Sequence, residues 1–124
     1  MNTQTVALVG LGRVGTAFLE ELLAKMARGV DIAYAVERND TAGRRAAQAA
    51  TVTIVTIDQL VAEGNKVDII FDLTGSTETR RELRDKLHAS GNHHTVIAPE
   101  SVARLLWAVM TPKELPNPHA SQDY

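Results

Sequence analysis

The sequence predicts an α/β fold: a single doubly wound, parallel sheet of about five strands, with helices on both faces. Three observations carry this. Short β-rich runs alternate with helical periods through about residue 110 of the 124-residue chain, and strands separated by helices imply parallel pairing with right-handed crossovers. One run, Val67-Asp68-Ile69-Ile70-Phe71-Asp72-Leu73, is apolar toward both faces near its middle, which suits a strand sandwiched between helices. The first strand also passes directly into a glycine-rich turn that opens a helix, Gly10-Leu11-Gly12-Arg13-Val14-Gly15.

Taken in order, Thr5-Val6-Ala7-Leu8-Val9 reads as the first, buried strand. A helix runs from Val14 to about Arg28, with Val14, Phe18 and Leu22 at four-residue spacing and Leu19, Leu23 and Met26 widening the stripe. Gly29 stops it, and Ile32 to Val36 forms the second strand. Asp40 or Thr41 caps a short alanine-rich helix through Ala49. The β-branched run Thr51–Val55 is the third strand, followed by a helical turn or two from Ile57 to Glu63. After the fourth strand, Thr74-Gly75-Ser76 makes a turn and Thr77 to about Ser90 a charged helix. The segment His94–Ala98 reads as the fifth strand, so His93 and His94 are expected on opposite faces. Glu100 to Met110 is the last helix, with Val102, Leu105, Leu106 and Val109 as its apolar face. Residues 1–110 form the domain. Residues 111–124, with three prolines and many polar side chains, read as an extended tail.

The glycine turn is informative because of its surroundings. Strand, G-x-G-x-x-G, helix and second strand occur in sequence, and Glu37 closes that second strand 22 residues beyond Gly15. This is the dinucleotide-binding fingerprint of a Rossmann-type fold. The first glycine permits the tight turn, the second admits a pyrophosphate to the main chain, and the third lets helix and sheet pack closely. The helix then aims unpaired N–H groups and its positive dipole end at the phosphates, and Arg13 adds a charge. With strand order 3-2-1-4-5, the topological switch falls between strands one and four, where ligands bind at the carboxyl ends. The cofactor-binding candidates are Gly10, Leu11, Gly12, Arg13, Val14, Gly15, Glu37, Arg38, Leu73, Thr74 and Gly75. Glu37 at the ribose position favours NAD over NADP, against which the neighbouring Arg38 pulls.

Composition excludes several alternatives. A net charge of −2 offers no electrostatic case for nucleic acid or an acidic membrane. With no cysteine there is no disulfide framework, thiol nucleophile or zinc–thiolate site. No apolar run approaches the ~20 residues needed to span a bilayer, and Met1-Asn2-Thr3-Gln4 lacks a basic stretch leading into an apolar one. The cytoplasm is the expected compartment.

Three segments together resemble the NAD-binding domain of homoserine dehydrogenases, within a group that includes aspartate dehydrogenases and dihydrodipicolinate reductases. They are Gly10–Gly15, Asp68-Ile69-Ile70-Phe71-Asp72-Leu73-Thr74-Gly75, and Gly91-Asn92-His93-His94-Thr95-Val96-Ile97-Ala98. The resemblance spans roughly residues 5 to 100, and it implies a cofactor role for Thr74 and Gly75 beside the nicotinamide ribose. Two departures stand out. Where that family carries Thr-Ala-Asn-Lys after the fifth strand, this chain has Ile97-Ala98-Pro99-Glu100, without the lysine. The chain also stops where the family's substrate-binding and dimerisation region would begin.

No residue stands out as a catalyst. His93 and His94 lack metal-ligand spacing and no metal site is read, His88 complements a helix end, and His119 falls in the tail. Asp72 reads as a structural anchor, and the mixed charges from Arg80 to Lys86 as a solvated helix face. Trp107 lies beside the stripe of the last helix and is expected to anchor a contact with a second copy. The leading reading is a stand-alone NAD(P)-binding module that senses nucleotide or redox state. It would act as a homo-oligomer or with a protein partner. The alternatives are a dehydrogenase or reductase with its pocket between subunits, and an interaction domain that has lost the ligand.

Overall fold

The computed structural model describes residues 3–25 and 29–116. The expected helix end at Arg28 and the tail beyond Pro116, His119 included, lie outside the described residues. Five strands, β1 (Gln4–Val9), β2 (Val30–Val36), β3 (Thr53–Ile54), β4 (Ile69–Asp72) and β5 (Val96–Ala98), form one sheet. Its order is β3-β2-β1-β4-β5 and each neighbouring pair is parallel. Among the described residues the helices are α1 (Arg13–Lys25), α2 (Ala42–Ala49), α3 (Ile57–Ala62), α4 (Thr77–Ala89) and α5 (Glu100–Met110), with a 3-10 turn at Gly64–Lys66.

Alternation along the strands builds two cores. Val6 and Leu8 of β1 join Phe18, Ile32, Phe71 and Trp107 on one face, and the rings of Phe18 and Phe71 meet edge-to-face with centroids 5.0 Å apart. Ala7 and Val9 turn the other way, to Leu60, Ile70, Leu83 and Leu87 under α3 and α4. Register aligns the carboxyl ends: Val9 lies between Val36 of β2 and Asp72 of β4. Gly10, Glu37 and Leu73 therefore emerge side by side at one rim.

One of the two caps expected for α2 is present, and α3 has one the sequence reading did not name. Thr41 caps α2 by accepting from the Arg44 N–H (3.0 Å), and Thr56 and Gln59 form a reciprocal capping box at α3. Other expectations are corrected. The third strand is only Thr53–Ile54, because Thr51 takes a left-handed φ of 63° and the Val52 N–H bonds Ala47 at the end of α2. His93 and His94 precede β5 and do not lie in it. The Asn92 side chain accepts from the His94 and Thr95 N–H groups (2.9 and 3.1 Å), which holds a turn there. His94 Nε2 meets Asp68 Oδ1 at 2.6 Å, and the Thr5 N–H donates to Asp68 Oδ2. The Thr5 backbone bond, then His94, hold the Asp68 carboxyl below its ordinary value.

The last helix corrects the sequence most. Its buried residues are Ala103 and Trp107, whereas Val102, Leu105, Leu106 and Val109 face outward. Trp107 is thus core and not an interface anchor. Its indole N–H donates to the Lys113 carbonyl (2.7 Å), and Lys113 Nζ pairs with Glu21 of α1 at 2.9 Å. Residues 111–116 lack regular secondary structure but fold back on the domain, with Thr111 buried and Leu115 packed against the first core.

Candidate functional site

The rim holds the glycine turn in a fixed shape. Gly10 has φ 96°, a left-handed value open to glycine. A Cβ there would lie 2.8 Å from the Thr74 methyl and 3.0 Å from the Thr74 nitrogen, so Gly10 lets the loops after β1 and β4 touch. At Gly15 a Cβ would overlap the Gly10 carbonyl oxygen, so α1 can start directly against the turn only with glycine here. Gly12 is the opposite case: a Cβ would meet no protein atom within 4 Å. Fold packing does not require that glycine, and the space over it is free for a ligand to approach the main chain. The first turn of α1 beside it carries no acidic side chain, and the free N–H groups and positive dipole end of a helix start favour an anion there.

Glu37 is fixed at the end of β2. Its Oε1 accepts from the Leu11 N–H at 2.7 Å and its Oε2 from the Asn39 N–H at 3.0 Å. A carboxylate offers about four lone-pair sites, so both oxygens keep capacity for hydroxyl donors. The loop after β4 is fixed by Asp72, a buried carboxylate. Its Oδ1 accepts from the Thr74 N–H (3.1 Å) and hydroxyl (2.7 Å), while Thr74 Oγ1 accepts from the Ser76 N–H. Asp72 Oδ2 is buried without a hydrogen-bond partner, 3.8 Å from Arg80 Nε. The anchoring role read for Asp72 is what the geometry shows.

Between these loops runs a cleft of about 500 Å³ across the carboxyl ends of the strands, within the usual range for small-molecule sites. Gly10, Glu37, Arg38 and Thr74 line it. Leu11, Val14 and Leu73 are buried in the interior, so only their backbone can meet a ligand. Arg13 and Gly75 are exposed, Gly75 with φ 67°.

Sequence reasoning missed the far wall, where Val55, Ile57, Gln59 and Thr79 line the cleft and Arg44 stands beside Arg38. Arg44 Nη1 reaches the Arg38 carbonyl at 3.5 Å. It also missed Gly43, where a Cβ would overlap Thr16 Oγ1 and crowd Leu11 Cβ at 2.9 Å, so α2 seats against the glycine turn. A glycine inside an alanine-rich helix, where alanine is the better helix former, was the available signal.

The three described histidines lie away from the rim. His88 is in the last turn of α4, and His93 and His94 precede β5 at the amino edge of the sheet. Among the described residues, no group of three or more His, Asp or Glu side chains is placed to hold a metal. No described helix is long and apolar enough to cross a membrane.

Comparison with known proteins agrees with this geometry. The family profile described as homoserine dehydrogenase, NAD binding domain, matches residues 10–103. Among curated proteins, none matches the chain. A homoserine dehydrogenase from Thiobacillus denitrificans is 28% identical, with TM-score 0.58 over 80% of this chain and 23% of its own. That of S. aureus, at pH 8.5, is 15% identical, with TM-score 0.60 over 86% of this chain and 30% of its own. GenD2 from gentamicin A biosynthesis, solved in complex with NAD, is 22% identical, with TM-score 0.51 over 80% and 34%. The chain thus spans 23–34% of the length of these structures. The glycine cradle, the switch-point cleft and the match over most of the domain lead to one assignment: the chain belongs to the homoserine dehydrogenase NAD-binding domain family, and is a nicotinamide dinucleotide-binding module.

Proposed function

We propose that this module binds NAD along the rim and senses nucleotide or redox state for a partner protein or a larger assembly in the cytoplasm, without turning over a substrate itself. The observation that carries the binding half is Gly12, whose missing side chain serves no packing need and leaves the helix start open to a pyrophosphate. Gly10 to Gly15 would hold the phosphates, with Arg13 as an added charge and the backbone of Leu11 and Val14 contributing. Val36, Val55, Ile57 and Thr79 would flank the adenosine. Leu73, Thr74 and Gly75 would approach the nicotinamide half, where the bound cofactor supplies hydride chemistry. Glu37 orients the ribose through the lone pairs that Leu11 and Asn39 leave free.

The sensing half rests on what stands at the nicotinamide end. The polar side chains after β4 and β5 include Thr74, Ser76 and Glu100, and Glu100 is already paired with Arg104 at 3.1 Å, while Asp72 beneath them is buried and bonded to Thr74. A proton donor tuned for hydride transfer is ordinarily His, Lys, Tyr or a free carboxyl group. A dehydrogenase pocket completed by a second subunit is the alternative, and the dehydrogenase family of the chain favours it.

Glu37 sets the choice of cofactor, because a 2′-phosphate would meet its carboxylate while Arg38 and Arg44 stand ready beside it. Glu37→Ser is expected to raise NADPH affinity relative to NADH by about tenfold, or about 1.4 kcal/mol. Competition titrations in matched buffer check this, and an unchanged ratio would remove Glu37 from the site. The same preparations, given NADH with small aldehyde and keto acid substrates, are expected to show no oxidation. Steady turnover would select the dehydrogenase reading.

A further inference from the structure

α5 has two apolar faces, and the sheet needs only one. Ala103 and Trp107 turn inward, and part-buried Met110 packs against the same core. On the outer side, Val102, Leu105, Leu106 and Val109 recur at i, i+3, i+4 and i+7, the spacing of a helix-packing seam. They are 38%, 64%, 36% and 77% exposed. Val96 of the edge strand β5, 57% exposed, extends the patch, because alternation puts it on the same side of the sheet as Ala98, the side α5 covers.

We propose that a second copy of this chain covers this face, the two α5 helices packing against each other about a two-fold axis. Size and charge choose that occupant. The five side chains expose on the order of 500 Å² per copy, so a symmetric pair removes about 1,000 Å² in total, the threshold of a specific interface. An isologous contact sets the patch against itself, which requires that it carry no uncompensated charge. The outer seam satisfies this. Val102, Leu105, Leu106 and Val109 carry no charge, and the one cation of α5, Arg104, is held by Glu100 one turn earlier (3.1 Å), so two copies meet apolar to apolar. The contact uses no residue of the nucleotide cleft, so it stands or falls separately from the cofactor reading.

Sedimentation velocity of the 124-residue chain between about 1 and 100 μM is expected to show a reversible dimer with a micromolar dissociation constant. Leu105→Glu and Val109→Glu, each at an exposed position, are expected to yield monomers with the wild-type circular dichroism spectrum and NADH affinity. Because the chain has no cysteine, Leu105→Cys offers an independent readout. It should form a disulfide-linked dimer under mild oxidation, while Lys66→Cys, on the 3-10 turn before β4, stays monomeric. A wild-type monomer at about 100 μM, or a dimer that survives both glutamate variants, would overturn the proposal.

Discussion

Gly12→Val is expected to lower NADH affinity by at least about a hundredfold, or 2.8 kcal/mol, while leaving thermal unfolding unchanged. The two halves of this expectation have separate causes. A Cβ at Gly12 meets no protein atom within 4 Å, so the fold has room for the branched side chain. That same space is where a pyrophosphate would approach the backbone and the first turn of α1. Calorimetric titration beside a melting curve of the same preparation checks both. A folded variant that binds as wild type does would move the phosphates elsewhere.

Gly15→Ala is expected to do the reverse, destabilising the domain by about 2–3 kcal/mol and lowering the unfolding temperature by roughly 10 °C. Here the added methyl would overlap the Gly10 carbonyl oxygen and lie 2.9 Å from its carbon. Those are backbone atoms of a turn already pinned by the Gly10 N–H to Val36 bond (2.9 Å), so relief requires moving α1 as a whole. Urea unfolding measures the loss. Wild-type stability in this variant would contradict the close seating of α1 on the turn. Two glycines three residues apart, both within one fingerprint, thus separate into one kept for the ligand and one kept for the fold.

Sheet order and the principal rim residues were legible in the sequence because local signals and topology agree there. The glycine turn, the acid closing β2 and the Thr-Gly after β4 are each set by a few adjacent residues, and parallel crossovers bring them to one edge. What stayed hidden depends on contacts between distant segments. β2 pairs with β1 around an extra residue, since Val6 faces Ile32 and Ala7 faces Tyr34, and that bulge moves Tyr34 to the opposite face from Ile32. Nothing local marks it. The far wall of the cleft, from Val55 to Gln59, follows a strand of two residues and enters a helix of six, both too short for their periodicity to say which way they face. On α5 the periodicity misleads: two apolar stripes share one helix, and only tertiary packing decides that Trp107 goes inward and Leu105 outward.

The rim formed by Gly10–Gly15, Glu37 and Thr74 is proposed as a working dinucleotide site in this chain. Calorimetric titration of the purified wild-type protein with NADH tests it most directly. Saturable binding at one site per chain is expected, with NADPH weaker and AMP weaker still. A protein that is folded by circular dichroism yet gives no saturable binding with NADH, NADPH, NAD or AMP up to about 1 mM, where even a 4.1 kcal/mol interaction would register, would contradict it.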